Sequence, residues 1–443
     1  MMFKEAILKI ICLLLISYIA GCGGPKDTQP SITVWHWMTD RESAFQELAK
    51  RYEARTGIKV IFELYAPSDA YSRKVRAAAQ GATLPDIFGI LGEKTDFASF
   101  VKAGHVLDLT SYMEADNGRL KNRFFTNALA VNMFDADNSY GVKPGIYAVP
   151  LDVMTIQMVY NRRLLRELGQ DPDKPPLTFE ELLDIGKKIS AAGAPVSRGK
   201  DASLQGFVCG WGELWMIDCF ANNYAFNIMG KDKVLATIRG EVPYTDPDWI
   251  KVLDLFRQLK QAGVLASGIV TMVNKTAEQL FANEKAVFSF NGSWCVNVYK
   301  GMNPNLDYAV MPLPEASKKY PMSIWGGAGS SFMVNANAKN KEDAVKFLDW
   351  LTDNQQQEYL AEKTNNLPAN KDCLKNISGP LAGFAKAMDL ATHPFLWGIS
   401  EFPVVIEALD KGIQSIIIGE KTAEQVAREV QKIKDRELSK RKQ

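Results

Sequence analysis

Between Ser31 and Ile90 the hydrophobic period of the chain changes repeatedly, and this alternation constrains the fold more than any other feature. Ser31–Trp37 is a β-branched and aromatic run, read as a strand. From Arg41 to Thr56, Phe45, Leu48, Ala49 and Tyr52 form a helical stripe, and Gly57 follows as a C-terminal cap. Ile58, Val60, Phe62 and Leu64 alternate as in a half-buried strand. Tyr71–Gln80 reads as helix and Asp86–Ile90 as a buried strand. Strand, helix, strand, helix, strand implies parallel βαβ units, whose ligands sit outside the carboxyl ends of the strands.

The same grammar recurs further on. Ala148–Leu151 and Thr155–Tyr160 read as short strands, Asn161 opens a helix, and Thr178-Phe179-Glu180-Glu181 is a capping box. Asp248–Ala262 is amphipathic, Ala286–Phe290 and Asp307–Pro312 read as strands, and Asn340 and Thr422 are placed to cap two later helices. A chain of 443 residues is too long for one core of ordinary size. Two α/β lobes facing each other across a cleft fit these elements better than one doubly wound sheet.

Lys4 and Lys9 precede an apolar stretch, Ile10–Ala20, of signal-peptide length and too short to span a bilayer. It ends in Ile19-Ala20-Gly21-Cys22, which resembles the bacterial lipobox, so residues 1–21 are expected to be removed and Cys22 to carry lipid. Residues 22–30 form a Gly- and Pro-containing tether. Such a protein is extracytoplasmic and anchored to a bacterial membrane without spanning it. The formal net charge is +1, and Lys4, Glu5 and Lys9 account for it, so the chain from Cys22 onward is neutral. That removes any general electrostatic case for nucleic acid or a membrane surface as partner.

Cys209, Cys219, Cys295 and Cys373 lack CxxC spacing and a nearby His, which argues against zinc; they are buried thiols or disulfides. The three histidines, His36, His105 and His393, form no nucleophilic triad order, and no GxSxG, P-loop or GxGxxG pattern is present. Passive binding without cofactor or metal is the expectation. A glycosidase built on paired carboxylates is the enzymatic alternative, since any large set of acids contains pairs.

Several segments resemble family 1 extracellular solute-binding proteins, the maltodextrin-binding type that serves ABC importers. They are Ile32-Thr33-Val34-Trp35, Leu84-Pro85-Asp86-Ile87-Phe88, Val149-Pro150, Val159-Tyr160-Asn161-Arg162 and Phe179-Glu180-Glu181-Leu182. Phe281-Ala282-Asn283-Glu284, Asn291-Gly292-Ser293-Trp294, Met311-Pro312-Leu313-Pro314, Gly326-Gly327, Ala344-Val345-Lys346-Phe347 and Leu367-Pro368-Ala369 follow in the family's order. The resemblance implies a periplasmic-binding-protein fold whose chain crosses between lobes three times, near Asp152, Leu306 and Asn366. Residues 31–152 and 307–363 would form the N-terminal lobe, and 153–306 and 364–443 the C-terminal lobe. It also implies a monomer that carries an oligosaccharide to permease subunits. A binder of another solute, a polyamine or phosphate ester, and a sensor subunit are the alternatives.

A sugar needs aromatic plates for its ring faces and planar polar groups for its hydroxyls. Trp37 and Tyr65, at the ends of the first two strands, are candidate plates. Asp40 is a candidate hydroxyl partner or a helix cap. The resemblance places Trp294 at a stacking position with Asn291 beside it. It also points to Trp211, Glu213 and Trp215 as a carboxylate-plus-aromatic stretch, Asp152 as an acid near the first hinge, Glu93 as a sugar-binding acid, and Trp397 as a further aromatic. Ile90 stands where maltodextrin binders carry a tryptophan, which argues against malto-oligosaccharide itself. Trp325 is a candidate to line the cleft instead, with Gly326-Gly327 allowing close backbone approach or making a turn.

Overall fold

The computed structural model of the chain describes residues 30–91, 94–191, 204–393 and 399–441. The signal segment, Cys22, Glu93 and Trp397 lie outside these residues. Among the described residues no helix is long and apolar enough to cross a membrane, and no cluster of His, Cys, Asp and Glu could hold a metal ion.

Among the described residues ten strands make the main sheet: β1 (Ser31–His36), β2 (Lys59–Leu64), β3 (Ile87–Phe88), β4 (Val149–Asn161), β5 (Gln205–Val208), β6 (Ala286–Gly292), β7 (Tyr308–Met311), β8 (Ile324–Val334), β9 (Leu367–Pro368) and β10 (Ala391–Thr392). Their order is β2-β1-β3-β8-β4-β6-β5, with β7 and β9 also on β4 and β10 on β8. The first three are parallel, as the opening alternation required. The lobes meet in β4 and β8, two long antiparallel strands paired from Trp325↔Ile156 to Phe332↔Val149. One end of β8 pairs with β3 of the first lobe. The far half of β4 pairs with β6 and β7 of the second.

Two expectations about this region are corrected. Residues 149–151 and 155–160 belong to one 13-residue strand, because its neighbours supply ladder partners along almost its whole length, while Ala148 precedes it. The second passage between lobes is not near Leu306. Tyr308–Met311 stays beside Met158–Asn161 in the second lobe, and the chain returns along β8. The β8–β4 register slips between Ala328 and Ser331, where the strands pass from one lobe to the other. Such an irregularity bends and twists a ladder locally. β9 lies beside this stretch of β4, with Leu367 and Pro368 facing Val153 and Asp152.

Each lobe has its own apolar interior. In the first, helix α1 (Glu42–Thr56) lays Phe45, Leu48 and Tyr52 on the sheet and ends at Gly57 in the left-handed conformation (φ 75°). Phe45 stacks on Phe62 at 4.7 Å. In the second, helix α2 (Leu214–Arg239) is buried along most of its length, with α3 (Pro247–Gln261), α4 (Pro403–Ile418) and α5 (Ala423–Arg441) around it. Each fully buried Leu or Phe of these interiors contributes about 1.5–3 kcal/mol.

The helix signals read from the sequence mostly form. Leu164 N donates to Asn161 Oδ1 at 2.9 Å, Thr178 and Glu181 bond reciprocally, and so do Thr422 and Gln425. Asn340 departs: its side chain caps nothing and donates to the Ser31 carbonyl, tying its helix to β1. Cys209, Cys219, Cys295 and Cys373 are free and buried, and burial raises their thiol pKa values.

Candidate functional site

Two cavities flank the β4–β8 passage. The smaller, about 170 Å³, lies between Trp37, Ile90 and Asn132 of the first lobe and Met154 and Ser330 of the passage. The larger, about 430 Å³, reaches into the second lobe past Trp215 and Trp325. Met154 and His393 line both, so the two form one groove floored by the hinge strands. A hollow of about 550 Å³ also opens on the first lobe beside Phe125 and Lys371, but it includes no tryptophan and no residue of β4 or β8. It is roomier yet lacks both plates and hinge, so the groove is the better candidate.

Glycine seats the aromatic plates. Trp37 follows β1 and packs on Tyr71 at 5.0 Å; a Cβ on Gly89 would overlap its indole. Trp294 follows β6 in the same way, and a Cβ on Gly292 would overlap its ring. In both lobes a glycine at a strand end lets an indole fold over the sheet edge. Trp294 lies 6.2 Å from Trp215, which is 44 % exposed. Glu213 holds Trp215 in place: its Oε2 accepts from the Trp215 indole at 3.3 Å, and Oε1 accepts from the Asn274 amide at 2.7 Å. Trp325, paired across β10 at Thr392, packs against His393 at 5.5 Å.

Other nominated residues are occupied by the fold. Trp211 is fully buried among Phe207, Phe220 and Phe256, an interior position and not a plate. Asn291 is also fully buried; its Nδ2 donates to Glu278 at 3.0 Å and its Oδ1 accepts from the Gly292 amide, so it shapes the turn that carries Trp294. Asp152 pairs with Arg41 and accepts from the Ser330 amide at 2.7 Å. Asp40 caps no helix; its Oδ2 accepts from Asn366 at 3.0 Å, joining the first lobe to the segment before β9. Tyr65 packs against Trp35 at 5.2 Å under Lys74 and donates to Glu63. Burial, with Glu63 beside it, pushes its pKa up to about 12. Gly326 makes its close approach to the Met154 carbonyl of β4, a strand contact and not a ligand contact.

Among the groove residues missed in the sequence are Met154, His393, Asp218 and Asp410. His393 is half-buried, and desolvation with nearby Lys94 lowers its pKa to about 3, so the imidazole is neutral. Asp410 did carry a signal. It is a lone acid in the stripe Val405, Leu409, Ile413 and Ile416, where a buried carboxylate needs a reason.

Two α/β lobes on paired hinge strands, with an aromatic groove between them, define a two-lobed solute-binding protein. Residues 47–387 match the family of bacterial extracellular solute-binding proteins, and the chain belongs to that family. It is thus an extracytoplasmic protein of a binding family and not of an enzyme family. It is 22% identical over 393 residues to the multiple sugar-binding protein of Streptococcus mutans, covering 86% of this chain and 85% of that one. It is 23% identical to the maltooligosaccharide ABC transporter solute-binding lipoprotein of Streptococcus pneumoniae, covering 76% and 72%. Among solved structures, a chitin oligosaccharide binding protein superimposes with a TM-score of 0.70 at 24% identity, over 91% of this chain and 98% of that one.

Proposed function

We propose that this chain captures a carbohydrate between its lobes and hands it to the membrane subunits of an ABC importer, tethered by lipid on Cys22. The observation that carries this reading is the arrangement of Trp37 on one side of the hinge strands and Trp215, Trp294 and Trp325 on the other. Sugar-binding relatives support it. Stacking and hydrogen bonds hold the solute, and no reaction or cofactor is involved. Closure follows from contacts that the solute makes with both lobes only when they meet. Ile90 keeps an aliphatic wall in the smaller cavity, which favours a saccharide other than a malto-oligosaccharide.

A panel of oligosaccharides read by thermal shift tests the reading, because a ligand of the folded state raises the melting temperature by mass action. At least one oligosaccharide stabilises the protein and is recovered intact. No shift with any saccharide, or release of shorter sugars, overturns it. For the tether, Cys22→Ser abolishes labelling with radioactive palmitate; labelling that persists removes the lipid assignment.

A further inference from the structure

The second-lobe cavity has a charge pattern that a neutral sugar does not need. Four carboxylates line it, Asp218, Glu401, Glu407 and Asp410, and among the described residues lining it there is no lysine or arginine. Two of the four have cations of their own outside the wall. Glu401 takes Lys434 at 2.6 and 2.7 Å and the Tyr244 hydroxyl at 2.9 Å. Glu407 takes Lys411 at 2.5 Å. Asp218 accepts from the Asn222 amide at 2.7 Å.

Asp410 is different. It is 1% exposed, and its Oδ1 accepts no hydrogen bond. Burial and the neighbouring Asp218 hold its carboxyl well above the usual carboxylate range. An unpaired oxygen in the interior is costly, and two acids side by side are more so. His393, the one basic side chain among the described residues lining the wall, is neutral. The remaining wall includes Trp215, Tyr244, Trp249 and Trp325. Aromatic faces attract an ammonium as well as an apolar ring face. The volume, about 430 Å³, falls within the range of about 300–1,000 Å³ common for small-molecule sites.

We infer that this cavity takes an ammonium-bearing saccharide unit, an amino sugar, with Asp410 as the charge partner of its nitrogen. The inference rests on the carbohydrate reading above and narrows its substrate class. The ammonium supplies the donors that Asp410 lacks, while the ring stacks on the aromatic wall. Neutral saccharides leave the acid pair to share a proton.

The test is titration calorimetry on the full mature chain with four probes: glucosamine trisaccharide, N-acetylglucosamine trisaccharide, cellotriose and spermidine. The glucosamine trisaccharide should bind on the order of tenfold to a hundredfold tighter than either neutral trisaccharide. Asp410→Asn, an isostere whose folding is checked by thermal unfolding, should abolish that preference. Asp218→Asn is the second variant and should reduce the preference in the same direction. A neutral trisaccharide binding as tightly as the cationic one sinks the amino-sugar inference and leaves the carbohydrate reading standing. So does an equal effect of Asp410→Asn on all three. Binding of spermidine alone, or of no saccharide, overturns both.

Discussion

Replacing Asp152 with alanine separates a structural acid from a ligand acid. The Asp152 and Arg41 side chains are 8% and 11% exposed and pair directly, and the Ser330 amide donates to the second carboxylate oxygen at 2.7 Å. Arg41 belongs to the turn before α1, Asp152 to β4 and Ser330 to β8, so three segments meet on one carboxylate at the passage between lobes. In Asp152→Ala the guanidinium stays buried with only the more distant Asp40, at 3.5 Å, as counter-ion. Removing one partner of a buried pair costs about 3–5 kcal/mol. At about 2–4 °C per kcal/mol for lobes of this size, the melting temperature should fall by roughly 6–20 °C. Urea unfolding followed by circular dichroism, without ligand, measures the loss. Arg41→Met combined with Asp152→Leu should recover more than half of it, because an apolar pair of similar volume removes the stranded charge. An Asp152→Ala protein as stable as the parent that has lost sugar binding would refute this reasoning and return Asp152 to the ligand.

Other outcomes follow from the same geometry. Trp215→Ala removes an exposed plate, so binding of the best saccharide should weaken by about 1.5–3 kcal/mol in calorimetry while the ligand-free melting temperature stays unchanged. An unaltered affinity would remove Trp215 from the site. Gly292→Ala drives a methyl into the Trp294 ring and should cost about 1–3 kcal/mol of stability together with affinity, read by urea unfolding and calorimetry; retention of both would show that the indole has another resting place. His393 has a folded pKa near 3 against an ordinary value of 6.5, so as pH falls the unfolded chain takes the proton first. Its stabilising contribution is therefore present above pH 6.5 and is lost towards pH 3, at no more than about 1.4 kcal/mol per pH unit. His393→Gln should flatten that part of the stability profile, and an unchanged slope would contradict the assignment.

What the sequence determined by itself is local. Alternation in Ile58–Leu64, the stripe Phe45–Tyr52, the cap at Asn161 and the box at Thr178 each fix a segment through neighbours one to four residues away, and all form as read. The motif order also identified the family and hence the two-lobed fold. Tertiary structure alone decided the rest, because it depends on partners far along the chain. Residues 149–161 become one strand only because β8, some 170 residues later, pairs with them. Trp211 and Trp215 share one short glycine-containing segment, yet the first is fully buried and the second 44% exposed. Asp152 and Asn291 are the residue types a sugar site would use, but Arg41 and Glu278 occupy them. Asp410 is one acid on an apolar stripe in the sequence, and only the fold, through α2, brings Asp218 near it. Residue type and period depend on nearest neighbours, whereas burial and hydrogen-bond occupancy are set by whatever the folded chain brings across.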